Sequence, residues 1–164
     1  MISQRVQDAI NDQIQAELAS EYLYLSMAAY CESLNLKGFA TWFRAQADEE
    51  KGHAMRFAKY LTDRGARVFI KGIDQPPQEF GTPLQTFEHA LGHERAVTAR
   101  INRLFELARE EKDPATEIAL TWFVTEQVEE EATASEIVET LKRVKESGSA
   151  LVMLDHRLGK RGGE

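Results

Sequence analysis

Cysteine is nearly absent from the 164 residues: Cys31 stands alone. A single cysteine excludes an internal disulfide and a thiolate metal cluster within one chain, and it fits a reducing compartment. Only four prolines and ten glycines interrupt the sequence, so long helices are permitted. No apolar run approaches the ~18 residues of a membrane span. The first residues carry Gln4, Arg5, Gln7, Asp8, Asn11 and Asp12 in place of an apolar targeting segment. The expectation is a cytoplasmic protein with no membrane partner. Positive charge is also short, with a net charge of −7 and a pI of about 5.2. That balance argues against nucleic acid as a partner and suits a protein that attracts cations.

What remains is a strong helical pattern. Hydrophobic residues make up 43% of the chain, enough for one domain with its own core. Apolar residues recur in steps of three and four through expected helices at about 4–34, 38–64, 83–111, 114–147 and 149–158. Gly65 suits the left-handed position after the second helix. Thr82-Pro83 and Asp113-Pro114 read as cap and first helical residue of the third and fourth. Gly148 is expected to end the fourth. The fifth segment is expected to dock away from the filled core or between subunits, and residues 160–164 to fray.

Residues 65–82 are punctuated by Gly65, Gly72, Pro76, Pro77 and Gly81. A second helix of about 27 residues is ~40 Å long, and this linker reaches at most ~60 Å when extended. It can therefore return along the bundle and leave the second and third helices parallel. The expected fold is all-α, a four-helix bundle with one long crossover and a short fifth helix. Val68, Phe69, Ile70 and Ile73 in the crossover need cover, and a partner subunit is the expected cover.

Each long helix has its apolar stripe broken near the middle by an acid. In the second helix the stripe is Phe39, Phe43, Gln46, Glu50, His53, Phe57, Tyr60. The first contributes Glu17, the third Glu94, and the fourth Gln127 and Glu130. A lone buried carboxylate costs several kcal/mol, and four together cannot all ionise without counter-charge. No Lys or Arg occupies these stripe positions. Two divalent cations would balance the four acids. One imidazole among oxygen donors suits iron or manganese rather than a soft metal, and Glu-x-x-His is a metal-ligand arrangement of helix bundles. Glu49, Glu126 and Glu129 flank this set, either as a third cation site or as a solvated acidic face. Tyr24 lies two turns beyond Glu17, either beside the centre or as plain core. His89, His93 and His156 show no ligand spacing and are expected at the surface. Trp42 and Trp122 are expected to pack.

These pieces resemble the ferritin family, and within it the haem-free bacterial ferritins. The resemblance is carried by Glu17, by Glu49-Glu50-Lys51-Gly52-His53, by His93-Glu94-Arg95, and by the run Trp122 to Glu131. It implies a ferroxidase that oxidises Fe²⁺ to Fe³⁺ with O₂ (or H₂O₂) and stores ferric mineral in a shell of 24 identical chains. It also implies one iron at Glu17, Glu50 and His53, and a second at Glu50, Glu94 and Glu130, with Glu50 bridging. Gln127 lies beside the second iron and Tyr24 beside the centre. Glu49, Glu126 and Glu129, with Glu130, match a third iron site. Haem is not expected, because Glu130-Glu131-Ala132-Thr133 lacks a second ligand histidine and Lys51-Gly52 lacks the haem methionine. One cysteine is too few for a rubrerythrin, and the five-helix layout does not match the twelve-chain mini-ferritins. The readings set against storage are a di-iron peroxidase or oxygenase in a small oligomer, and a helical assembly protein that binds no iron tightly.

Overall fold

A computed structural model describes residues 2–145 and 147–161. The helices are α1 (Gln4–Ser33), α2 (Lys37–Asp63), α3 (Pro83–Glu110), α4 (Pro114–Val144) and α5 (Gly148–Leu158), and no strand occurs among the described residues. Their starts are chemically marked. The Ser3 hydroxyl accepts from the Val6 amide at 3.3 Å. Thr82 and Gln85 form a reciprocal capping box ahead of Pro83. The Asp113 carboxylate accepts from the Thr116 amide at 3.2 Å. Gly65 takes the left-handed conformation after α2 at φ 69.

The α1–α2 turn brings these helices together as an antiparallel pair, and α3 and α4 form a second. The crossover climbs the side of α1. Asn11 Nδ2 donates to the Arg67 carbonyl at 3.1 Å, and the Phe69 amide donates to Asn11 Oδ1 at 2.7 Å. Higher up, Ser26 Oγ donates to the Pro77 carbonyl at 2.6 Å and the Tyr30 hydroxyl to the Gly81 carbonyl at 2.8 Å. The chain thus enters α3 at the C-terminal end of α1. α3 then descends past α1, with Tyr24 beside Glu94 and Arg5 beside Glu111, so α2 and α3 run parallel.

Several details differ from the expectations. Of the crossover apolar residues, Val68 packs on its own bundle, whereas Ile70 is 71% exposed and Phe69 and Ile73 are also open. α4 ends at Val144, short of the expected Ser147, with Lys145 in the left-handed region at φ 50. Gly148 is therefore the first residue of α5 and not a helix terminator. The early break lets α5 turn back onto its own chain. Leu154 and Leu158 bury in the core near the start of α2, so α5 docks on its own bundle rather than away from it. Asp155 accepts from the Phe39 amide at 3.0 Å and so caps α2, whose own N-cap Leu36 has no side chain able to do so. Arg161, expected to fray, is held by Glu49. Residues 162–164 of that expected tail lie outside the described residues.

The apolar interior is two clusters and not one. The upper contains Leu23, Tyr24, Met27, Phe43, Phe87 and Ile137, and the lower contains Ile10, Ile14, Phe57, Ile101 and Phe123. Stacked rings anchor each, Phe43 on Phe87 at 4.7 Å and Phe57 on Phe123 at 3.8 Å. Burying each such side chain stabilises the fold by about 1.5–3 kcal/mol. The gap between the clusters is the layer of broken stripes.

The α2–α5 contact makes a direct prediction. A Cβ on Gly38 would sit 1.7 Å from the Asp155 carbonyl oxygen, a backbone atom that cannot step aside. Gly38→Ala should cost about 1–3 kcal/mol of stability or undock α5, read by chemical denaturation and by protease sensitivity after Val144. Unchanged stability and protection would contradict this packing.

Candidate metal centre

Between the two clusters lie Glu17, Ser20, Gln46, Glu50, His53, Glu94, Gln127 and Glu130, all buried. Each long helix delivers its share by one rule. The turn that faces the opposite pair carries a polar side chain where the turns above and below carry Leu, Ile or Phe. Glu50 and His53 are one turn apart on α2, with His53 Nδ1 3.7 Å from Glu50 Oε2. Ligand atoms of Glu17, Glu50 and His53 all lie within 4.8 Å of one another. His53 also meets Glu126 and Glu130 within the same 4.8 Å, so the imidazole stands between two groups of carboxylates. Its ring is fixed edge-on by Trp122 at 5.5 Å.

Hydrogen bonds orient the acids. Gln13 Nε2 donates to Glu17 Oε1 at 2.8 Å, and Gln46 Nε2 to Glu130 Oε2 at 2.6 Å. The Tyr24 hydroxyl donates to Glu94 Oε1, and Gln127 Nε2 to Glu94 Oε2 at 3.2 Å. These partners leave a pattern. Glu17 Oε2, Gln46 Oε1 and both oxygens of Glu50 are buried without a hydrogen-bond partner among the described residues. A buried unpartnered polar atom costs about 1–3 kcal/mol, and here four converge on one layer. Such a set of bare hard oxygen donors with one imidazole fits a divalent first-row cation.

Burial and mutual repulsion raise the acids together. Glu17 is pushed well above the usual carboxylate range by burial, then by the Glu50 charge. Burial and the Glu94 charge do the same to Glu50. Burial raises Glu94 against the pull of its Tyr24 and Gln127 hydrogen bonds. Glu130 rises from the usual 4.5 to about 7, chiefly through burial and then Glu94. The Tyr24 hydroxyl is also raised, by burial and by Glu94, and so keeps its proton.

Every sequence-predicted residue can now be located. Glu17, Glu50, His53, Glu94, Gln127, Glu130 and Tyr24 occupy the layer or its edge. Glu94 is turned toward Tyr24 and Gln127 and joins neither three-residue group. Of the flanking acids, half-buried Glu126 approaches His53 and Glu130. Glu129 is exposed, and Glu49 is paired with Arg161 at 2.6 Å. His93 is a partial correction: it is half-buried rather than out at the surface. Its ring meets Tyr24 edge-on at 5.7 Å, and Nε2 lies 2.8 Å from Ser20 Oγ. The Ser20 hydroxyl proton goes to the Ala16 carbonyl, so His93 is the donor to Ser20. Burial lowers its pKa to about 4, and it stays neutral. Sequence reasoning missed Gln13 and Ser20; Gln13 was recoverable from its i, i+4 spacing to Glu17.

These shifts fix a pH dependence. Each acid has a native pKa above its unfolded one. The stability it contributes is complete below the unfolded value and is lost as pH rises through the native value, about 7 for Glu130. His93 has the opposite sign but is neutral in both states above its usual 6.5. Between about pH 4.5 and 7 the metal-free protein should therefore lose thermal stability, the four acids outweighing the one opposing imidazole, with Tm falling on the order of 5 °C. Calorimetry in the presence of a chelator reads this, and a Tm that rises across the window would contradict it.

The ferritin-like domain family matches residues 7–144. A bacterial non-haem ferritin of Bacteroides fragilis is 47% identical over 161 residues, 98% of this chain and all of the relative. One from Staphylococcus aureus is 38% identical over 98% of this chain and 97% of its own length. Among solved structures, the open-pore ferritin of the archaeon Archaeoglobus fulgidus superposes with a TM-score of 0.96 at 48% identity, covering 97% of this chain and 98% of its own. The match of sequence and fold over nearly the whole chain, with a buried carboxylate layer at its centre, places this chain in the ferritin family.

Proposed function

We propose that this chain is an iron-storage ferritin whose mid-bundle layer is a ferroxidase centre. The observation that carries the reading is the layer of four buried acids, with bare oxygens on Glu17 and Glu50 and no cationic side chain among its members. Fe²⁺ is both substrate and cargo. Glu17, Glu50 and His53 hold one iron; Glu50, Glu94 and Glu130 hold the second, with Glu50 shared between them. Glu94 reaches the second iron by giving up the Gln127 side-chain contact; Gln127 Nε2, still held by the Glu94 carbonyl and Thr98 Oγ1, stays beside that iron to help hold the oxidant. As the irons bind, the acids release their protons and supply the negative charge that favours Fe³⁺ over Fe²⁺. The two Fe²⁺ give one electron each, reducing O₂ to H₂O₂ or H₂O₂ to water with protons released by the acids, and Tyr24 anchors Glu94 by its other oxygen. Glu126, Glu129, Glu130 and Glu49 form an outer, third iron site through which iron leaves toward the mineral.

The host is a closed shell of copies, 24 by family likeness. Its support here is apolar surface that a lone chain leaves wet: Ile118 at 75%, Met153 at 74%, Ile70 at 71% and Val152 at 69% exposure. The single cysteine and acidic composition suit a cytoplasmic setting, and no described helix is long and apolar enough to cross a membrane.

Two measurements test this. Glu50→Ala removes the shared ligand and should slow initial Fe²⁺ oxidation by about 100-fold; wild-type rates would show that the centre lies elsewhere. Size-exclusion chromatography after aerobic Fe²⁺ loading should show a very large particle carrying iron far beyond the few ions the centre can hold. A small oligomer with only centre iron would instead point to a di-iron redox enzyme.

A further inference from the structure

Arg161 stands where the outer acidic face meets the end of the chain. Its guanidinium lies 4.6 Å from the centre of the Trp42 ring, and Nη2 donates to Glu49 Oε2 at 2.6 Å. Trp42 and Glu49 are seven residues apart, two turns on one face of α2. A planar guanidinium can stack on the ring and bond the carboxylate at once, which a lysine ammonium cannot do. Its position is inherited from the docking of α5. Asp155 caps α2, and a Cβ on Gly159 would lie 3.2 Å from Gly38 Cα. That close approach delivers residue 161 to the side of α2. The pair is only partly shielded, with side chains 27% and 44% exposed, so another cation can exchange with it. Glu49 is also the one member of the outer set so engaged: Glu126 and Glu130 face His53 instead.

We propose that Arg161 is a resident cation of the outer face, holding Glu49 in the iron-free chain and competing with an arriving divalent ion for that carboxylate. The proposal rests on the outer-site reading given above. Arg161 is then a positioning residue. It keeps the outer site weak, so that iron passes through; its charge also reaches Glu130, the ligand that the outer set shares with the inner pair.

The test is anaerobic equilibrium binding of Fe²⁺ to the assembled metal-free protein, comparing wild type, Arg161→Gln and Arg161→Lys. Particle size and helical signal serve as controls for folding. The expected result is that the third Fe²⁺ per chain binds about threefold tighter in Arg161→Gln. The first Fe²⁺, at Glu17, Glu50 and His53, should change least, and Arg161→Lys should fall between. A third iron bound with equal or lower affinity in Arg161→Gln would overturn the competition while leaving the outer site standing. Absence of a third iron from both wild type and Arg161→Gln would remove the outer site and the proposal together.

Discussion

Four carboxyl groups share a buried layer between two apolar clusters, and the cost of their desolvation organises the rest of the molecule. No Lys or Arg is among the buried residues of that layer, so the acids have two ways to exist: protonated, or neutralised by metal. The upward shifts of Glu17, Glu50, Glu94 and Glu130 describe the first state. The bare oxygens of Glu17 and Glu50 describe the readiness for the second. The apolar clusters above and below supply the stability that lets the layer remain unsatisfied. A fold chosen for stability alone would fill the same positions with Leu and Ile.

The chain topology serves that layer. The long crossover sets α3 parallel to α2, so that Glu94 enters the layer between Tyr24 of α1 and Gln127 of α4. Gln13 holds Glu17 and Gln46 holds Glu130 by one oxygen each, which leaves Glu17 Oε2 bare beside both oxygens of Glu50, while Tyr24 and Gln127 engage the two oxygens of Glu94. α5 does similar service at a distance: it caps α2 through Asp155 and carries Arg161 to Glu49. Exposed Ile118, Ile70 and Met153 have no cover within one copy and offer apolar surface for further copies.

Much of this was legible in the sequence because helical periodicity is a local property. Phe39, Phe43, Glu50, His53 and Phe57 fall on one face whatever the rest of the chain does, and an acid on such a face is conspicuous. The α1 stripe was less secure. It singled out Glu17 and passed over Gln13 and Ser20, which are buried a turn to either side. Steps of three and four drift around a helix of 3.6 residues per turn, so the flank of a stripe is ambiguous until its neighbour is known. The place of His93, the docking of α5 and the hold on Arg161 were not legible. Each depends on contact between segments far apart in sequence, such as Gly38 with Asp155 or His93 with Ser20. The end of α4 at Lys145 was hidden for the same reason.

The most direct measurement is anomalous diffraction at the iron edge from crystals soaked in Fe²⁺ without oxygen. The account predicts paired iron density enclosed by Glu17, Glu50, His53, Glu94 and Glu130, with Glu94 turned inward from its place beside Gln127. Iron confined to the protein surface, with the buried layer still protonated and metal-free, would contradict it.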